Sequence, residues 1–126
     1  LNQPKDTEKM TLNEFLDRLN NNETIDFTDT MAVIADHYDY QPTEFSNGLG
    51  DDKLVNEAGS NEGSCKIFAF AKLHDLDQRK TLQLFGDYYR KDVLQDPDGT
   101  GHQNIRNFIR YGWEGIRFAG PALTEK

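Results

Sequence analysis

The chain has 126 residues with 14 basic and 22 acidic side chains, a formal charge of −8. That is one domain's length and the wrong sign for a protein that tracks a polyanion, so nucleic acid is set aside as a partner. A single cysteine closes no internal disulfide and builds no thiolate cage, and no apolar run approaches the ~18 residues of a membrane span. A reduced, cytoplasmic setting without a membrane partner or a structural metal is expected.

Residues 1–9 precede Met10 and are expected to be a leader or a tag remnant outside the fold. Thr11 and Glu14 have the spacing of a capping box, and Leu12, Phe15, Leu16 and Leu19 form the stripe of a first amphipathic helix, which the run Asn20, Asn21, Asn22 ends. A second helix opens at Asp26 with Phe27, Met31, Ile34, Ala35 and Tyr38 on one face and Asp29 and Asp36 toward water. From 41 to 63 the pattern stops. Pro42, Asn47, Gly48, Gly50, Asn56, Gly59, Asn61 and Gly63 are turn formers, and the short apolar patches between them pair as a small hairpin around Asn47 and Gly48. So long an irregular stretch inside a compact domain is uncommon and marks the first place to look for a site.

Ser64 is expected to cap a third segment in which Ile67, Phe68, Phe70, Ala71 and Leu73 leave little polar face. A buried central helix is preferred there over a buried strand. Asp77 caps a fourth helix carrying Leu82, Phe85, Tyr89 and Val93, ending before Asp96 and Pro97. Thr100 or His102 starts a fifth with Ile105, Phe108, Ile109 and Trp113 inward, closed by Gly112, after which Ile116 and Phe118 form a short extended piece. The fold class is therefore mainly α: a single irregular domain, 10–120, of about five short helices with a long ordered loop and a small β-hairpin, and 121–126 as a C-terminal tail. The acidic charge sits in the first half, which is expected to lie against the basic side chains of helices four and five.

The string Asn56, Glu57, Ala58, Gly59, Ser60, Asn61, Glu62, Gly63, Ser64, Cys65, Lys66, Ile67, Phe68, Ala69, Phe70 resembles the HopJ (HopPmaJ-like) type III effector family. Phe85, Gly86, Asp87, Tyr88, Tyr89, Arg90, then His102, Gln103, Asn104, Ile105, Arg106, Asn107, Phe108, then Gly112 and Trp113, resemble its later blocks. The resemblance runs from about Met10 to Phe118. It implies a bacterial protein, secreted through a type III system where the family name holds for this member, and it brings no defined activity, cofactor or catalytic residue.

Three constellations are candidates for chemistry. The first is Cys65 near a helix start, where the helix dipole favours thiolate; with His102 as base it would make a cysteine-dependent hydrolase or transferase. A buried, inert cysteine against Phe68 accounts for the same residue. The second, Asp96, Asp98, Thr100 and Gly101, imitates the first half of a calcium loop. Gln103 and Asn107 occupy the positions where an aliphatic residue and a bidentate carboxylate are needed, so a plain interhelical turn is preferred and no metal is assigned. In the third, the turn-rich loop and the start of helix five supply the polar groups of a recognition surface: Asn47, Asn56, Asn61, Ser64, His102, Gln103, Asn104 and Arg106. The expected function is a non-catalytic interaction domain or a domain that binds a small ligand, without a cofactor, acting on an unidentified protein or small molecule.

Overall fold

A computed structural model of the chain describes residues 10–126, so the leader expected over 1–9 lies outside the described residues. The capping box at Thr11 forms as the spacing requires. Thr11 Oγ1 accepts from the Glu14 N–H at 3.0 Å and the Glu14 carboxylate accepts from the Thr11 N–H at 2.9 Å, opening helix α1, Leu12–Asn20, which buries Phe15 and Leu19.

Helix α2, Phe27–His37, buries Thr30, Val33 and Ile34, while Ala35 of the expected face is exposed. A tertiary bond sets this rotation: Thr30 Oγ1 donates to the Leu84 carbonyl at 2.9 Å, which turns the face carrying Val33 inward. The helix then passes directly into strand β1, Tyr38–Tyr40, so Tyr38 reaches the core from a strand rather than from the helix. Strand β2, Phe45–Asn47, pairs antiparallel with β3, Leu54–Asn56, which is the hairpin expected near Asn47.

Helix α3, Glu62–Leu73, is the central element, and it begins three residues earlier than expected. Asn61 is its N-cap, and Ser64 lies in the first turn. Cys65 and every residue from Ile67 to Ala71 are buried, as an almost wholly apolar helix requires. The ring of Phe68 meets those of Phe45, Phe85, Phe108 and Trp113 at centroid distances of 4.9 to 6.4 Å, which ties four other segments to α3.

The single helix expected from Asp77 is two elements, α4, Gln78–Gln83, and a π-helix, Tyr88–Val93. The break comes at Gly86, whose φ of +61° lies in the left-handed region and whose missing side chain lets the Phe27 backbone come close. A Cβ there would stand 2.6 Å from Phe27 N. Helix α5, Gln103–Tyr111, has His102 as its N-cap and buries Asn104, Ile105 and Phe108.

Strand β4, Arg117–Phe118, is the extended piece expected near Ile116. It joins β2 to complete a three-stranded antiparallel sheet of order β3-β2-β4. Strand β5, Leu123–Glu125, pairs antiparallel with β1, Tyr38 opposite Glu125 and Tyr40 opposite Leu123, and Ala122 and Leu123 are buried. The described chain is therefore mainly helical with two small antiparallel sheets, a correction to a mainly α domain with one hairpin. Strands of two or three residues carry too little alternation to be seen in a sequence, and their partners lie far away in the chain. Among the described residues no helix is long and apolar enough to cross a membrane.

Candidate functional site

The long loop and the start of α5 meet in a network of asparagine amides. Asn56 and Asn104 form a reciprocal pair: Asn56 Nδ2 donates to Asn104 Oδ1 at 3.1 Å, and Asn104 Nδ2 donates to Asn56 Oδ1 at 2.9 Å. Asn56 Oδ1 also accepts from Asn61 Nδ2 at 2.7 Å, and Asn56 Nδ2 reaches the Phe45 carbonyl at 3.4 Å, so all four hydrogen-bonding valences of Asn56 are used. Asn47 Nδ2 donates to both the carbonyl and Oδ1 of Asn104, at 2.8 and 3.0 Å, and Asn107 Nδ2 donates to the Asn47 carbonyl at 3.0 Å. Asn47 and Asn56 are at most 2% exposed. They form the buried scaffold that clamps the β2–β3 hairpin to α5, while Asn47 Oδ1 lacks a hydrogen-bond partner among the described residues.

In front of this network opens a cleft of about 440 Å³. Asn61, Gly63 and Ser64 form one side, at the start of α3, and His102, Gln103, Asn104 and Ile105 form the other, at the start of α5. Phe27, Leu54, Phe85 and Tyr88 supply the remaining walls. Both helices enter the cleft through a left-handed residue, Asn61 at φ 52° and His102 at φ 55°, and neither side chain caps its helix. The first-turn N–H groups beside Gly63, Ser64 and Gln103 therefore lack the usual side-chain acceptor. Residues outside glycine adopt this backbone only where the surrounding contacts hold them there.

The π-helix supplies the aromatic wall. Tyr88, 43% exposed, meets the Phe27 ring edge to face at 4.9 Å and the His102 ring at 5.2 Å. The Asp92 carboxylate, one turn on, lies 3.2 Å from His102 Nε2, on the imidazole that packs beside Tyr88. Segments of π-helix are rare and recur at functional sites because they shift side chains out of the α-helical register. None of the eleven lining residues is Lys, Arg, Asp or Glu, although the chain carries 36 such side chains.

Of the residues expected to make a recognition surface, Asn61, Ser64, His102, Gln103 and Asn104 line the cleft, Asn47 and Asn56 stand behind it, and Arg106 points elsewhere. The Arg106 guanidinium donates to the carbonyls of Gly101, Asp96 and Pro97. These bonds place an internal cation against the Asp96–Gly101 turn. Among the described residues no three His, Cys, Asp or Glu side chains come together as a metal site.

Cys65 and His102 belong to separate environments. The Cys65 thiol is buried, donates to the Thr43 carbonyl at 3.6 Å, and is pushed above its ordinary pKa by burial, which favours thiol over thiolate. His102 is engaged with Asp92 and Tyr88, and Cys65 does not line the cleft. Sequence reasoning missed Phe27, Leu54, Phe85 and Tyr88, which it assigned to core or loop. The fact that would have marked Tyr88, its exposure, arises only from the break at Gly86.

A family model described as HopJ type III effector protein matches residues 12–123. The chain belongs to the HopJ type III effector family. A solved structure described as "Crystal structure of unknown function protein VPA0580" is 53% identical, with a TM-score of 0.88, and the match covers 94% of this chain and 96% of that one. No curated protein matches. Two of the sequence blocks that resemble HopJ, 56–70 and 102–108, hold the two facing helix starts of the cleft and most of its asparagine network.

Proposed function

We propose that this HopJ-family chain is a non-catalytic domain that binds a small ligand in the cleft between the starts of α3 and α5. The observation that carries this reading is the convergence in one concavity of an aromatic wall, Phe27 and Tyr88, with the polar groups of Asn61, Ser64, His102 and Asn104. A concavity of this size that sets a few fixed polar groups against aromatic side chains is a common form of small-molecule site. The network behind it supports the reading, since the reciprocal bonds between the buried Asn56 and Asn104 amides hold the front residues in one geometry.

A cysteine nucleophile at Cys65 is disfavoured by its burial and its raised pKa. The family description also supports a second proposal, that the chain is exported through a type III system. Tagged full-length protein would then leave a type III-competent strain and stay within a type III-deficient one.

Ligand binding is tested by screening a chemically diverse fragment collection against the 15N-labelled protein. Hits should shift the amide signals of Gly63, Ser64, His102 and Asn104, and His102→Ala should weaken them without lowering the melting temperature by more than a few degrees. A blank screen, or hits confined to other faces, overturns the reading.

A further inference from the structure

Two neighbouring amides in the cleft carry unused valences. Asn104 Oδ1 accepts from Asn47 and Asn56, and its Nδ2 gives one hydrogen to Asn56, leaving the second N–H without an acceptor among the described residues. Asn61 gives one hydrogen to the same Asn56 oxygen, leaving its own Oδ1 without a donor there. Because both nitrogens hold one oxygen atom, at 2.7 and 2.9 Å, the two side chains stand side by side. The cleft thus offers a free N–H next to a free carbonyl oxygen, beside a half-exposed aromatic ring at Tyr88 and with no Lys, Arg, Asp or Glu in its lining.

Resting on the small-ligand reading above, we infer that the cleft takes an uncharged planar ring with an amide-type edge, a carbonyl adjacent to an N–H, of the kind carried by pyrimidine bases and nicotinamide. The ring carbonyl accepts from Asn104 Nδ2, the ring or carboxamide N–H donates to Asn61 Oδ1, and the ring lies against Tyr88. No Lys, Arg, Asp or Glu lines the cleft to pair with a charged group on the ligand.

Uridine and nicotinamide are the probes, with benzoate and glucose for comparison, each titrated to millimolar concentration into the 15N-labelled protein. Uridine or nicotinamide should shift the side-chain NH2 signals of Asn61 and Asn104. Tyr88→Ala should weaken that binding about fivefold, the low end of a lost ring stack, while Tyr88→Phe retains it. The spectra of both variants report directly that they are folded. Silence toward both amide-edged rings, or equal shifts with benzoate or glucose, overturns the inference. The ligand-binding reading falls separately, only if the diverse screen is also blank at this cleft.

Discussion

Asn56 is the residue on which the candidate site depends most. Its amide satisfies two donors and two acceptors in the interior, and it has no route to solvent, being 2% exposed. Replacing it with Leu, of the same branched shape, leaves the Asn104 amide without its reciprocal partner and the Phe45 carbonyl without its side-chain donor. A buried group left unsatisfied costs about 1–3 kcal/mol, so Asn56→Leu is expected to destabilise the protein by about 3 kcal/mol, read as a lower urea midpoint at unchanged slope. Cys65 illustrates the opposite case, a reactive group made inert. Burial raises its pKa from an ordinary value near 9, so the folded state holds the thiol proton more tightly than the unfolded chain does. The stability this contributes is full below pH 9 and is lost as pH rises through the folded value. Alkylation by iodoacetamide at pH 8 should therefore be slower in the folded protein than in the unfolded chain, and a faster folded-state rate would restore the nucleophile.

The element that decides the cleft's shape is the break between α4 and the π-helix. Gly86 adopts φ +61° with the Phe27 backbone where a side chain would start, and this turn sends Tyr88 toward Phe27 and His102. Gly59 also has a positive φ, of 90°, but open space around it. Gly59→Ala is expected to cost about 1 kcal/mol from backbone strain alone. Gly86→Ala adds the steric conflict and should cost more than about 2 kcal/mol, with loss of the Tyr88 contacts. Thermal unfolding of the two variants side by side measures the difference, and equal losses would mean that the Phe27 backbone gives way freely. The periodicity of Leu82, Phe85, Tyr89 and Val93 is real, yet it suits one continuous helix. Only the approach of α2 shows why the chain turns at Gly86.

At the scale of the whole molecule, the last strand closes the fold onto its first half. Strand β5 pairs with β1, the Gln41 N–H donates to the Ala122 carbonyl at 2.8 Å, and the Lys126 N–H donates to the His37 carbonyl at 3.1 Å. Leu123 is 4% exposed, so this pairing is part of the core. Leu123→Ala should cost about 2–3 kcal/mol, the lower range for truncating a buried leucine. Calorimetry should show one cooperative transition at lower temperature; a separate early transition would mean that β5 is only an appendage. The same long-range logic joins Asn47 and Asn56 to Asn104 across the site.

The stripe at Leu12, Phe15, Leu16 and Leu19, the capping box at Thr11, the apolar run from Ile67 to Ala71 and the helix beginning near His102 were all legible, because each is set by neighbours within one or two turns. So was the turn-rich character of 41–63, since glycine and asparagine mark it whatever lies opposite. The charge balance and the single cysteine, which depend on composition alone, were legible for the same reason. The rotation of α2, the break at Gly86, the pairing of β1 with β5 and the burial of Asn47 and Asn56 required the tertiary structure. Each is decided by a partner tens of residues away, Leu84 for Thr30 and Asn104 for Asn56, and a polar amide reads as surface until the group that satisfies it is brought alongside.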